Sequence, residues 1–338
     1  MKTIKINVIG FFKNFNPLHN FLLDSVNDLF DFKLSDDPDF VLCGPFPPFF
    51  GYLKNDKAVR IFFSNENMCP DFNNFDYWIG HDDLIYGDRF LFFPVYLQHN
   101  TYYRKFNVHK CEPPEALAVI NEKTRFCDFI YGHDIYQGMR GKLLSWLSSY
   151  KRVDCAGSLY NNQADGFIAN YHDLDTKIEF QRKCKFSLAI DSAPEPDFVT
   201  EKFYHSLQAQ SIPIYYGTPT IAKYVNEKRI IDLHSFPNLD EALARIKQID
   251  NDDKLYQSIL CEEPFIEKDF VKHRFSALRD FLIHIFSQEP SCARRRPRNL
   301  GINEWIQDEL ISYVNLRPTL IYKGIRRLEK RKRQSKKN

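Results

Sequence analysis

Lys185–Val225 reads KFSLAIDSAPEPDFVTEKFYHSLQAQSIPIYYGTPTIAKYV. The apolar run KFSLAID ends in an acidic, proline-rich loop. The stretch after Thr200 puts Phe203 and Leu207 on one helical face, and IPIYYG is a second apolar run closed by a glycine. The order is therefore strand, loop, helix, strand, with Thr200 as the helix N-cap and Glu201 and Lys202 in its first turn. In open α/β sheets ligands bind outside the carboxyl ends of the strands, where the unpaired N–H groups of a helix start favour a phosphate. A lysine there adds positive charge, and a glutamate can accept from two sugar hydroxyls. Spacing alone leaves a plainer reading open, in which Glu201 complements the helix dipole and Lys202 is merely solvated.

The same rhythm extends in both directions. KINVIGFF, FVLCGPF, AVRIFFS, FDYWIG and RFLFFPVY precede Asn107–Glu115, whose HKCEPPE has the prolines and polar residues of a linker. The pattern then restarts with FCDFIYG, a helix around Gln137–Tyr150, RVDCAG and the quoted segment, and continues through RIIDLHSF to helices near Leu239–Ile249 and Phe270–Phe286. A chain of 338 residues exceeds the comfortable size of one core. The expected fold is α/β, with two facing Rossmann-like domains of parallel sheet and a C-terminal basic helical tail. The expected divisions are 1–110, 111–290 and 291–338.

Phe198, Val199, Thr200, Glu201 and Lys202, followed by Ile212, Pro213, Ile214, Tyr215 and Gly217, make the quoted segment similar to the donor-binding motif of the α-1,3/4-fucosyltransferases, glycosyltransferase family 10, in its bacterial type. IFFSNENMCPDFNNFDYWIGHDD resembles the acceptor-side segment of that family, and Arg140 lies where the family keeps a phosphate-binding arginine. The resemblance covers most of Lys57–Phe236 and implies the two-domain GT-B fold. It implies inverting transfer of L-fucose from GDP-fucose to a GlcNAc hydroxyl, α-1,3 or α-1,4, of an N-acetyllactosamine-type glycan such as lipopolysaccharide O-antigen. Glu66 maps onto the proposed general base. Arg140, Asp191, Ser192, Phe198, Val199, Thr200, Glu201 and Lys202 map onto the donor side, and Asn65, Asn67, His81 and Asp82 onto the acceptor side. Read without the resemblance, Glu66 in its Ser-Asn-Glu-Asn turn is also a plausible solvated turn carboxylate, and His81 and His133 are ordinary structural histidines. One departure stands out: relatives carry Phe-Glu-Asn before the loop, whereas this chain has Ile190-Asp191-Ser192, so a hydroxyl replaces an amide.

Arg140, Lys202 and the helix start can hold a departing diphosphate as fixed donors, so no cofactor or essential divalent metal is expected. Asp37-Pro38-Asp39 and Asp173-Leu174-Asp175 spell the D-x-D pattern of metal-dependent transferases, but among 44 acidic residues such matches arise by chance. Lys5–Phe12 holds one glycine, which argues against a dinucleotide-binding dehydrogenase. Eight scattered cysteines without a C-x-x-C pair read as buried thiols in a reducing compartment. No apolar run reaches membrane-spanning length, and no signal peptide is visible.

Of the formal net charge of +2, Tyr322–Asn338 contributes eight positive charges and Arg294–Arg298 four, leaving −10 on the remainder. An acidic body is a poor nucleic-acid binder. The basic tail, with Leu316, Leu320, Ile321, Ile325 and Leu328 at helical spacing, suits an anionic membrane surface or else is simply a solvated charge run. The expected partners are GDP-fucose, an oligosaccharide or glycolipid acceptor, that membrane surface and a second copy in a homodimer, with a cytoplasmic location, peripheral on the inner face of the membrane. Two alternatives are a GT-B transferase using another nucleotide sugar and a nonenzymatic membrane-docking protein.

Overall fold

The protein is described from a computed structural model covering residues 1–98, 108–135, 138–169, 174–192, 195–297, 301–316 and 327. Among the described residues, eleven strands form two sheets. They are β1 (Lys2–Ile9), β2 (Phe30–Leu34), β3 (Phe40–Cys43), β4 (Val59–Phe63), β5 (Tyr77–Gly80), β6 (Phe90–Phe92), β7 (Arg125–Phe129), β8 (Val153–Cys155), β9 (Cys184–Ile190), β10 (Ile212–Tyr216) and β11 (Ile231–Asp232). The helices are α1 (Phe21–Asp24), α2 (Pro113–Glu122), α3 (Met139–Ser148), α4 (Leu174–Arg182), α5 (Glu201–Gln208), α6 (Leu239–Asp250), α7 (Asp253–Leu260), α8 (Phe270–Ser287), α9 (Pro290–Ala293) and α10 (Ile302–Leu316).

Every strand pair is parallel, in the order β2-β1-β3-β4-β5-β6 in the first sheet and β11-β10-β9-β7-β8 in the second. Parallel sheets are covered on both faces, which is why VRIFF and YWIG are buried at every position. The two facing parallel-sheet domains form the expected GT-B fold. They also share apolar contacts. Tyr96 stacks on Tyr204 at 5.3 Å and Phe92 on Tyr224 at 4.8 Å.

The fold departs from the sequence reading in several places. β2, at the sheet edge, has no counterpart among the expected strands. The proline-rich linker contains a helix start instead: Pro113 opens α2, where the missing N–H costs nothing, and Cys111 N donates to Leu260 O at 2.9 Å. α8, expected to close the second domain, packs on the first sheet, where Phe286 meets Phe40 at 5.1 Å and Phe32 at 5.2 Å. The Lys2 ammonium donates to the Phe286 and Gln288 carbonyls at 3.1 Å, satisfying the helix end.

Of the Arg294–Arg298 cluster, Arg295 and Arg296 are not part of a free basic tail, since Arg296 is buried in an ion pair with Asp76 and Arg295 pairs with Asp88 at 2.7 Å, while Arg298 lies outside the described residues. Helix α10 carries Glu304, Asp308 and Glu309 and no basic residue. Of the positions named for the tail, Leu316 closes α10, while Leu320, Ile321, Ile325 and Leu328 lie outside the described residues. All eight cysteines are free thiols, but Cys69 and Cys292 are exposed and Cys261 is only partly buried. No described helix is long and apolar enough to cross a membrane.

Candidate active site

Strand order reverses between β7 and β9, the place where an open α/β sheet leaves a crevice for a ligand. A cleft of about 610 Å³ opens there. The loop after β7 supplies Tyr131, Gly132 and His133, and the loop after β9 supplies Ser192 and Phe198. The start of α5 supplies Thr200, Glu201 and Lys202, while from the facing domain the loop after β4 supplies Asn65 and Glu66. The tertiary fold thus brings together Glu66, Arg140, Ser192, Phe198, Thr200, Glu201 and Lys202, all expected from sequence, across two domains.

The helix start is built differently from the expectation. Thr200 has the extended backbone of an N-cap, but its side chain makes no cap hydrogen bond. Its hydroxyl instead donates to the buried Asp191 carboxylate, which also accepts from Thr200 N at 3.2 Å and from the Tyr215 hydroxyl at 2.7 Å. Asp191 therefore lies beneath the cleft as a brace rather than in its wall. Burial pushes its pKa up to about 6, against the hydrogen bonds from Thr200 and Tyr215. Gly217 is required by the same brace, because a Cβ there would run into the Tyr215 hydroxyl and the Asp191 carboxylate. Val199, also expected at the donor, is buried in the shared core.

Lys202 Nζ lies 2.8 Å from Glu201 Oε1 and 3.4 Å from Thr200 Oγ1. Arg140 is 3% exposed, its guanidinium donates to His133 O at 2.7 Å and stacks over the Tyr131 ring at 4.2 Å, and its Nε has no partner among the described residues. An unsatisfied buried guanidinium donor beside a cleft is what an anionic ligand would complete. The loop that carries Asp134 holds this arginine in place, its carboxylate accepting from Arg140 N and Gly141 N at 3.2 Å.

Glu66 hangs from the β4–β5 loop, where the Ser64 hydroxyl donates to its backbone carbonyl at 2.7 Å. Its pKa is raised, first by partial burial and then by the charge of Glu201, with Lys202 acting against both. Asn65 brings a buried Oδ1 without a partner among the described residues. Asn67 is exposed and does not line the cleft. His81 and Asp82 lie outside it too. The His81 ring packs edge-on against Phe198 at 4.9 Å, and burial lowers its pKa to about 4, leaving it neutral. Burial raises Asp82 to about 6. Nearby, Lys223 ties the domains together through Asp83 at 2.9 Å and Asp197 at 3.3 Å.

Sequence reasoning missed Lys177. It lines the cleft from α4, is 4% exposed, and its Nζ lies 2.9 Å from His205 Nδ1. Burial brings its pKa down to about 8, with Glu201 pulling the other way. The available signal was its place on the buried stripe of Leu174, Ile178 and Gln181, where a lysine is out of character. Gly157 was missed as well; it lets the loop after β8 pass against the Tyr131 backbone, which a Cβ would strike. Of the two D-x-D matches, Asp37 and Asp39 precede β3 and so sit at the opposite end of the sheet from the ligand edge, and Asp173 lies outside the described residues.

Residues 6–99 match the N-terminal domain of the α-(1,3)-fucosyltransferase FucT, and residues 120–261 match the C-terminal domain of glycosyltransferase family 10 (fucosyltransferase). The chain is 30% identical over 239 residues to the α-(1,3)-fucosyltransferase FucT of Helicobacter pylori, covering 63% of this chain and 48% of that protein. It is 37% identical over 160 residues to the putative fucosyltransferase R654 of Acanthamoeba polyphaga mimivirus, covering 45% of this chain and 26% of the relative. The chain thus spans about half the length, or less, of these curated relatives. A crystal structure of an α1,3-fucosyltransferase with GDP superposes with a TM-score of 0.70 at 25% identity, covering 88% of this chain and 93% of that one. With the two family domains matched in chain order across both halves of the fold, the chain belongs to glycosyltransferase family 10, the fucosyltransferases, and to its bacterial type.

Proposed function

We propose that this chain transfers L-fucose from GDP-fucose to a sugar hydroxyl, with inversion at the anomeric carbon. The observation that carries the reading is the cleft in which a carboxylate of one domain, Glu66, faces three cations of the other, Arg140, Lys177 and Lys202. In the proposed step Glu66 takes the proton of the acceptor hydroxyl while the oxygen bonds to the anomeric carbon. The bond from that carbon to the β-phosphate oxygen breaks, and GDP leaves from the opposite face. The three cations and the N–H groups at the start of α5 hold the charge that grows on the diphosphate, so a divalent metal is not needed. Glu201 accepts from donor hydroxyls, and Phe198 packs beside the nucleotide. The acceptor is a GlcNAc hydroxyl of an N-acetyllactosamine-type glycan, linked α-1,3 or α-1,4.

The test is to incubate the protein with GDP-fucose, N-acetyllactosamine and EDTA and to weigh the product. A fucosylated trisaccharide is expected. Transfer that requires added metal, or a UDP-sugar preferred over GDP-fucose, would overturn the proposal. Glu66→Gln should abolish turnover and leave GDP affinity unchanged.

A membrane role belongs to the same proposal. Ile302, Trp305, Ile306 and Tyr313 are exposed along α10, ahead of the basic Tyr322–Asn338 segment. Because α10 itself is acidic, any attraction to anionic lipid has to come from that segment, and sedimentation with phosphatidylserine vesicles at rising salt checks it.

A further inference from the structure

The first sheet has a strand-order reversal of its own, between β1 and β3. A cavity of about 650 Å³ opens at the carboxyl ends of those strands, lined by residues that include Gly10, Gly44, Phe49, Phe62, Met68 and Trp78. Gly10 has φ +81°, and a Cβ on it would strike Gly44 O, so the two loops can approach only because both residues are glycine. The inner wall is aromatic, with Phe62 stacked on Trp78 at 4.1 Å and Tyr52 against Phe75 at 4.7 Å. Its carboxylate is already engaged: Asp71 accepts from Asn74 Nδ2 at 2.7 Å and from the Asn73 and Asn74 backbone at 3.2 and 3.3 Å. The cavity therefore offers mainly rings and a thioether, a predominantly apolar lining to which Tyr313 and Arg327 from the C-terminal part of the chain add polar groups.

This cavity and the donor cleft share a wall. The β4–β5 loop turns Asn65 and Glu66 into the cleft and Met68 and Cys69 into the cavity. Met68 follows Glu66 by two positions along the chain, at most about 7 Å of extended backbone. A group attached to the far side of the acceptor sugar would lie within that reach.

We propose that this cavity binds an alkyl or aryl aglycone carried by the acceptor sugar, and so holds the sugar with its free hydroxyl toward Glu66. The inference rests on the transfer reading and deepens it by naming the acceptor class. The occupant follows from the cavity's continuity with the acceptor side of the cleft and from its apolar lining.

The experiment compares methyl and octyl N-acetyllactosaminide as acceptors for the intact chain. The octyl glycoside is expected to show a KM roughly tenfold lower at equal kcat, the effect of burying about two methylenes. Met68→Asp, at a site 38% exposed, should erase that difference and leave kcat and KM for the methyl glycoside unchanged. Met68→Leu should restore it. A second readout needs no transfer: the octyl glycoside should raise the melting temperature of the wild type and of Met68→Leu, but not of Met68→Asp. If no fucose moves yet this melting pattern appears, the transfer reading fails and the cavity stands. Equal KM values, or stabilisation that survives Met68→Asp, overturn the proposal. So does failure of the octyl glycoside to stabilise the wild type, the result expected if the chain's own C-terminal segment fills the cavity.

Discussion

Lys177→Met is the most discriminating single change in the donor cleft, because it should move stability and nucleotide affinity in opposite directions. The ammonium of Lys177 is buried, and its pKa falls from 10.5 to about 8. A drop of that size corresponds to about 3 kcal/mol spent on keeping the charge in the fold at neutral pH. The sign follows from proton binding. Below pH 8 both folded and unfolded chains hold the proton and the fold bears the full penalty. Between 8 and 10.5 the unfolded chain holds more protons, so the fold gains stability as pH rises. Methionine fills a similar volume without the charge, while the lost hydrogen bond to His205 Nδ1 gives back about 1 kcal/mol. The variant without ligand should therefore be about 2 kcal/mol more stable in denaturant titrations at pH 7, with an advantage that shrinks toward pH 10. GDP affinity by calorimetry should weaken at least about tenfold, the usual loss of one charge-assisted hydrogen bond. A variant that is less stable at pH 7 and binds GDP as well as the wild type would refute the argument and make Lys177 a structural support.

Three other outcomes follow from the geometry. The acid limb of the kcat/KM pH profile should lie above the ordinary glutamate range, because Glu66 must be ionised and its pKa is raised by burial and by Glu201. Glu201→Gln should move that limb to lower pH, and a limb that stays put would break the link between the two carboxylates. Gly217→Ala should destabilise the fold by about 1–3 kcal/mol, because the added methyl dislodges the Tyr215–Asp191 brace; an unchanged denaturation midpoint would contradict it. Arg296→Ala leaves the buried Asp76 without its guanidinium and should cost about 3–5 kcal/mol in chemical unfolding. A loss below about 1 kcal/mol would mean that the segment after α9 is not anchored by that pair.

Much of this protein is written locally. Parallel strands buried on both faces must be almost continuously apolar, so VRIFF, YWIG and KFSLAI announce themselves. A helix start fixes its first turn within a few residues, so the local pattern alone puts Thr200, Glu201 and Lys202 at a ligand edge. What the chain could not disclose is what depends on residues far apart in it. Only packing shows that α8 crosses back to the first sheet, that Arg296 is paired rather than solvated, and that Asp191 turns inward to brace a loop. The meeting of Glu66 with Arg140, Lys177 and Lys202 depends on two sheets docking face to face. Burial turns Lys177 from an ordinary helix lysine into a costly cation, and burial is a property of neighbours brought together by the fold, which local pattern does not encode.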